Sequence, residues 1–180
     1  MKYLENDVIR LRALEPKDID LLYDWENDTS LWDRGNTLAP YSKYALEEYI
    51  RDARFDLFSV KQLRLIIELK NKENGAAGMI DLYDIDPHHS RAGVGILIDP
   101  KYQKRGIAFH ALKILEAYAF EFLNLHQLFA YIPVENGVSL KLFEKLGYQS
   151  AGVLREWLFL NKRRIDVAVA QRRNPSTHQL

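Results

Sequence analysis

Cysteine is absent from all 180 residues, which excludes a disulfide framework, a thiolate metal site and a cysteine nucleophile. No sign of charge prevails either, because 25 Lys and Arg are balanced by 25 Asp and Glu. Such a chain has no global field to attract nucleic acid or an anionic membrane, so neither is expected as a partner and any anionic ligand must be met locally. Nowhere do about 18 or more apolar residues run together, and the first fifteen residues are charged throughout. Neither a membrane span nor a signal peptide is therefore expected, and the expected location is the cytoplasm. Internal repeats and low-complexity linkers are also missing.

With 47% hydrophobic and 28% charged residues, the chain can bury one good core. One domain is expected over residues 1–171, with a disordered tail over 172–180 that carries Asn174-Pro175-Ser176-Thr177. Val8 to Leu14 alternates apolar and charged residues as a first strand, and Glu15-Pro16-Lys17-Asp18 turns it into a helix with Asp18 at the N-cap. Helical spacing runs over Asp20 to Trp25 and Tyr41 to Ala53. The breakers Asn27 to Ser30 and Gly35 to Pro40 predict a mobile loop between them. Arg64 to Leu69 and Ala76 to Ile85 form a hairpin around Asn71 to Gly75, and a further strand follows from Arg91 to Asp99. A helix over Ile107 to Leu123, a buried strand over Leu128 to Ile132 and a short helix over Asn136 to Lys145, closed by Gly147, come next. Two strands, Tyr148 to Trp157 and Arg164 to Ala170, close the chain. The order βααβββαβαββ predicts an α/β (α+β) fold with a mixed, strongly twisted sheet and helices on its faces.

The junction between Pro100 and the long helix is the most informative segment. Gln103-Lys104-Arg105-Gly106-Ile107-Ala108 places a glycine where a helix begins, and a helix start offers unpaired N–H groups and a partial positive charge. With Lys104 and Arg105 this makes an anion cradle suited to a pyrophosphate. Neither G-x-x-x-x-G-K-[ST] nor G-x-G-x-x-G is present, so the phosphate is expected to be a handle on a cofactor and not the reacting group. The alternative is a charged loop that caps a core helix.

The Q-x-x-G-x-A turn, following a strand that ends Ile96-Leu97-Ile98-Asp99-Pro100, resembles the acetyl-coenzyme A signature of the GNAT superfamily of N-acetyltransferases. Val134-Glu135-Asn136-Gly137-Val138-Ser139, followed by Leu142-Phe143-Glu144-Lys145-Leu146-Gly147-Tyr148, resembles that superfamily's next motif in the right order. The similarity extends from Val8 to about Ala170 and is strongest to the bacterial branch of spermidine and ribosomal-protein N-terminal acetyltransferases. It implies a sheet whose central strands splay to admit acetyl-CoA as cosubstrate. It also implies that Ile96, Leu97 and Ile98 offer backbone groups to the pantetheine arm, that the backbone from Gln103 to Ala108 (Gln103, Lys104, Arg105, Gly106, Ile107, Ala108) holds the pyrophosphate, and that Asn136 binds the pantetheine or adenine side. A plain N-cap is the other reading of Asn136.

The implied reaction is direct attack of a primary amine, on a small molecule or a protein N-terminus, upon acetyl-CoA in a ternary complex. The runner-up is an acyl-CoA-binding protein with little or no catalysis. Acetyl transfer needs the amine neutral and a proton for the departing thiolate. Asp81 is the expected base, acting through water, with a strand acid as its bland reading; Asp81 and Asp84 are three apart and share a face only across a bulge. His88 and His89 are expected as solvated turn residues. The branch's proton-donating tyrosine falls on Phe143, which has no hydroxyl, so Ser139 is named in its place, with Tyr131 and Tyr148 behind it. No metal site is expected. Paired glutamates of the polyamine enzymes fall on Thr37-Leu38-Ala39-Pro40, and a further acid falls on Gly93, so a polyamine acceptor is weakly supported; Asp33, Glu47, Glu48 and Asp84 would make a modestly acidic cleft. Trp25, Trp32, Tyr41 and Tyr44 line either core or pocket. Gly93 and Gly95 are expected to leave room for a substrate backbone. Pairing of the C-terminal strands between subunits would give a homo-oligomer.

Overall fold

Alternation of apolar and charged residues forms the first strand, β1 (Ile9–Ala13), which buries Ile9 and Leu11 and turns Arg10 and Arg12 toward Glu68 across the sheet. The computed structural model describes residues 3–32, 39–52, 56–70 and 75–176. Asp33, residues 35–38 of the expected mobile loop, Ala53 at a helix end, residues 71–74 of the hairpin turn and residues 177–180 lie outside it. The further elements are α1 (Ile19–Asn27), α2 (Thr29–Trp32), α3 (Lys43–Asp52), α4 (Leu57–Val60), β2 (Gln62–Leu69), β3 (Ala76–Asp86), β4 (Arg91–Ile98), α5 (Ile107–Ala117), β5 (Gln127–Pro133), α6 (Gly137–Lys145), β6 (Gln149–Leu160) and β7 (Arg163–Arg173).

Seven strands form one sheet in the order β1-β2-β3-β4-β5-β7-β6, and every pair is antiparallel except β4 with β5. Alternation along β2 sends Leu65, Ile67 and Leu69 to one face, where α5 contributes Ile107, Ala111, Leu112 and Leu115. Ile66 goes to the other face with Met79, under Leu22 and Trp25 of α1 and Leu46 of α3. Each fully buried Leu or Ile contributes about 1.5–3 kcal/mol, so the two apolar layers hold helices against both faces of the sheet as the sequence predicts.

The β4–β5 pair positions the site. Only Arg91, Ala92 and Gly93 pair with Gln127, Leu128 and Phe129. Beyond Gly93, β4 keeps its bonds to β3 as far as Ile98, and β5 keeps its bonds to β7 as far as Pro133. The two strands therefore part into a V whose closed end is Gly93 and Phe129, and the residues 94–98 present a free edge to it.

Several expectations need correction. Asp18 precedes α1, but its carboxylate makes no cap; it accepts from both Arg12 terminal nitrogens at 2.7 and 2.8 Å and from the Glu15 N–H at 2.9 Å. Thr29 and Ser30, read among the breakers Asn27 to Ser30, instead begin α2 (Thr29–Trp32). The long helix is α-helical only to Ala117 and then widens into a π turn over Tyr118–Phe122, closed by the Leu123 N–H on the Tyr118 carbonyl at 3.0 Å. The C-terminal boundary also moves: Arg172 and Arg173 belong to β7, and Asn174 is buried, donating to the Phe120 and Leu125 carbonyls. The sheet therefore runs into the expected tail.

Candidate active site

At the open end of the V, Asp99 ends β4 and turns the chain by accepting from the Lys101 N–H at 3.0 Å and from the Trp25 indole at 3.1 Å. Burial opposes ionisation of Asp99, but these two donors and the Lys101 ammonium outweigh it and hold the carboxyl below its usual range. Gln103 donates to the Ile98 carbonyl at 3.1 Å and ties the turn back to the strand. Lys104 (φ 61°) and Gly106 (φ 75°) are left-handed, and α5 starts directly after Gly106. Alternating handedness at a helix start converges successive N–H groups on one point. A Cβ at Gly106 would meet nothing within 4 Å, so the cradle faces open space and has room for a pyrophosphate.

Across the V, Asn136 caps α6 by accepting from the Ser139 N–H at 3.1 Å. The cap reading is thus realised, and the Asn136 amide NH2 makes no hydrogen bond among the described residues. The Ser139 hydroxyl, half-buried on the first turn of α6, has no hydrogen bond among the described residues. Phe143 is only 3% exposed and packs edge-on against Tyr148 at 4.8 Å between ring centroids. The Tyr148 and Gly147 N–H groups close the helix on the Phe143 and Glu144 carbonyls at 3.0 and 2.8 Å, the paired pattern expected of a glycine at C′.

On the α1/α3 face the acids are largely committed. Arg64 donates to both Asp81 oxygens at 2.7 and 2.9 Å and to Glu26 at 2.6 Å. Burial opposes the Arg64 charge, but Asp81, Tyr49 and Glu26 outweigh it and hold its pKa above the ordinary value. Asp81 is therefore not the free carboxylate expected of a base. Asp84 takes a different position because β3 has a bulge: Asp84 and Ile85 together oppose Ala92, with Asp84 left-handed at φ 48°. The bulge turns Asp84 into a groove of about 620 Å³ that it shares with Lys61, Arg91, Phe129, Tyr131 and Gln171. Asp86, also at this groove, pairs with Arg91 at 3.3 Å. Asp84 is exposed and makes no ion pair among the described residues.

Room was expected beside both glycines of β4. Gly93 has none, because a Cβ there would lie 2.3–2.8 Å from the Tyr83 ring, whereas at Gly95 the nearest atoms stand at 3.8 Å. Among the aromatics, Trp25 is core, Trp32 is half-buried with its indole on the Glu26 carbonyl, and Tyr41 and Tyr44 are exposed. Glu48 is occupied by Tyr44 and Arg51, each at 3.0 Å. His88 and His89 stand exposed in the β3–β4 turn, their rings stacked edge-on.

The sequence matches the acetyltransferase (GNAT) domain family over residues 9–149. The chain belongs to the GNAT acetyltransferase family. It is 29% identical to the spermidine N(1)-acetyltransferase of Escherichia coli K12, over 85% of this chain and 79% of that one. The crystal structure of spermidine N-acetyltransferase from Vibrio cholerae in complex with CoA and spermine superposes with a TM-score of 0.82 at 28% identity, covering 94% of this chain and 97% of that one. A dodecameric structure of the Vibrio cholerae enzyme matches with a TM-score of 0.80 at 28% identity, over 97% and 98% of the two chains. The protein is thus an N-acetyltransferase that takes acetyl-CoA as cosubstrate and transfers its acetyl group to an amine.

The acetyltransferase brings the sequence-predicted cofactor residues to the V in one continuous run, with Ile96, Leu97 and Ile98 on its free edge and Gln103 to Ala108 at its mouth. Asn136 and Ser139 open the opposite helix. Sequence reasoning missed Arg64, Glu26, Lys61 and Tyr83 as members of the α1/α3 face. Asp81 and Tyr83 are two apart and therefore share that face, a signal present in the strand. Its partners Arg64 and Gly93 lie on neighbouring strands and become visible only with the register.

Proposed function

We propose that the acetyltransferase binds the acetyl-CoA pyrophosphate on the backbone of Gln103 to Ala108, lays the pantetheine arm along the free edge of Ile96, Leu97 and Ile98, and acetylates an amine that carries fewer positive charges than a polyamine. The single supporting observation is the state of the acids. Asp81 and Glu26 are held by Arg64, and Asp86 by Arg91, so of the described acids that line the groove Asp84 is the one left unpaired for an incoming ammonium. One carboxylate suits one primary ammonium on a neutral or zwitterionic body, such as an amino-acid derivative or a peptide N-terminus. Asp84 also takes over the role expected of Asp81: it receives the ammonium and passes its proton to water. An amine with pKa near 10.4 is protonated at neutral pH and must lose that proton to attack. Asp81 instead holds Arg64 in place.

A polyamine acceptor is the second reading, supported by the spermidine acetyltransferase relatives. The enzyme works in the cytoplasm and assembles with copies of itself through β6, an edge strand of the sheet that exposes Trp157 and Phe159 by 59% and 61%. The test is release of free CoA thiol with spermidine, spermine, monoamines, amino-acid amides and short peptides. Higher kcat/KM for singly charged amines or peptides is the expected result, and preference for spermidine contradicts the acceptor assignment.

A further inference from the structure

Phe143 leaves the acetyltransferase without the hydroxyl that its motif position leads one to expect, and the alternatives on that side are poorly placed. Tyr148 is buried against Phe143 with its phenol beside Glu116. Ser139 lies past the end of β5, and Phe129 to Pro133 alone spans about 13 Å, while the closed end of the V is at Phe129. A pantetheine arm paired with residues 94–98 points its sulfur at that closed end.

Tyr83 is already there. It pairs with Gly93 across β3 and β4, and its ring fills the volume that a Cβ of Gly93 would take, with Cε2 and Cζ at 2.3 and 2.4 Å from that point. Its other edge stands 3.8 Å from the Cβ position of Gly95. The ring contacts Phe129 edge-on at 5.9 Å between centroids, so it bridges both strands at the place where they part. Its hydroxyl faces the backbone of Tyr131, two residues further along β5. Only a glycine at position 93 permits this placement.

We propose that the Tyr83 hydroxyl is the proton donor to the CoA thiolate. The neutral amine attacks the thioester carbonyl carbon and the N–C bond forms while the C=O electrons move to oxygen. The carbonyl re-forms, the C–S bond breaks, and the sulfur takes the proton of Tyr83 Oη. The amide nitrogen gives its surplus proton to water, and the tyrosinate regains one from water, so a single proton is released per ammonium acetylated. Burial, with Tyr131, Asp84 and Asp81 nearby, keeps the phenol protonated above its ordinary range, so the donor is loaded wherever the amine is free to react.

The inference rests on acetyl transfer, but its test does not depend on knowing the acceptor. Calorimetry compares the affinities of CoA and desulfo-CoA for the wild type, Tyr83→Phe and Ser139→Ala. Tyr83→Phe retains the ring over Gly93 and removes only the hydroxyl. The wild type is expected to favour CoA over desulfo-CoA by about three- to tenfold, with the preference lost in Tyr83→Phe, kept in Ser139→Ala, and desulfo-CoA affinity unchanged. With whichever amine the wild type acetylates, kcat of Tyr83→Phe is expected to fall about tenfold or more at an unchanged KM for acetyl-CoA. A preference kept in Tyr83→Phe, or lost in Ser139→Ala alone, overturns the assignment. A wild type that acetylates no amine overturns the acceptor reading, and the calorimetric comparison still decides the role of Tyr83.

Discussion

At the residue scale, the site depends on side chains that neutralise one another. Arg64 carries two largely buried carboxylates, so Arg64→Met takes the guanidinium away from both Asp81 and Glu26. Removing one partner from a buried network costs on the order of 3 kcal/mol, which for a chain of this length is a fall in Tm of about 6–12 °C, measurable by thermal unfolding. If the variant folds, it frees the Asp81 carboxylate for the acceptor, and its kcat/KM for spermidine relative to a monoamine is expected to rise about tenfold; an unchanged ratio would mean that Arg64 plays no part in acceptor choice. The residues proposed to hold the cosubstrate were legible in the sequence because they form a local pattern from Ile96 to Ala108. The ion pair that holds Asp81, expected as the base or as a strand acid, was hidden for the opposite reason: its partner Arg64 lies on the neighbouring strand, and nothing in the spacing along β3 reveals a guanidinium on β2. Phe143 shows what a motif can do in the negative. Its missing hydroxyl was visible at once, while the candidate to replace it, Tyr83, required the pairing with Gly93.

At the element scale, the start of α5 and the free edge of β4 act together, and Gly106 joins them. Its φ of 75° is left-handed and a Cβ there meets no atom within 4 Å. Gly106→Ala is therefore strained by its backbone alone, at about 1–2 kcal/mol, and relief of that strain turns the cradle's N–H groups away from one another. The expected outcome in steady-state kinetics is a several-fold rise in KM for acetyl-CoA with little change in kcat at saturation; an equal fall in kcat would place the damage in the chemical step. The order of the strands and longer helices was legible, since apolar periodicity and Gly, Pro and Asn breakers mark each of them, whereas the four-residue helices α2 and α4 were not expected. The bulge at Asp84 was not legible, because a gap in pairing between strands leaves no mark on one strand's own pattern, and for the same reason the opening of the V was expected from the resemblance of the motifs and not from the strands themselves. Thr29 and Ser30 misled for a related reason: the four-residue helical turn they begin is held by its surroundings, with Trp32 donating to the Glu26 carbonyl at 2.7 Å, against weak local propensity.

At the scale of the whole molecule, α5, the start of β6 and β7 meet at a buried acid. Glu116 is raised to about 7 by burial, against the opposing pull of Arg172, whose Nε lies 3.3 Å away. Glu116 Oε1 and the Tyr148 hydroxyl have no well-formed hydrogen bond among the described residues. A carboxyl raised on folding binds its proton in the native state between about pH 4.5 and 7, where the unfolded chain has released it, so this group's contribution to stability declines as pH rises through that window. Glu116→Gln cannot release a proton, and its Tm relative to the wild type is expected to rise from pH 5 to pH 8. A difference that is flat with pH, or of opposite sign, would show that Arg172 keeps Glu116 ionised throughout. The same three elements draw the C-terminal residues into the fold, which the polar composition of the tail concealed.

The most direct test is backbone hydrogen exchange with and without CoA. Protection concentrated at residues 94–98 and 104–108 is the predicted result, because the arm pairs with the free edge of β4 and the pyrophosphate covers the start of α5. CoA binding that leaves both segments unprotected would contradict the placement of the cosubstrate in the V, and with it the site proposed here.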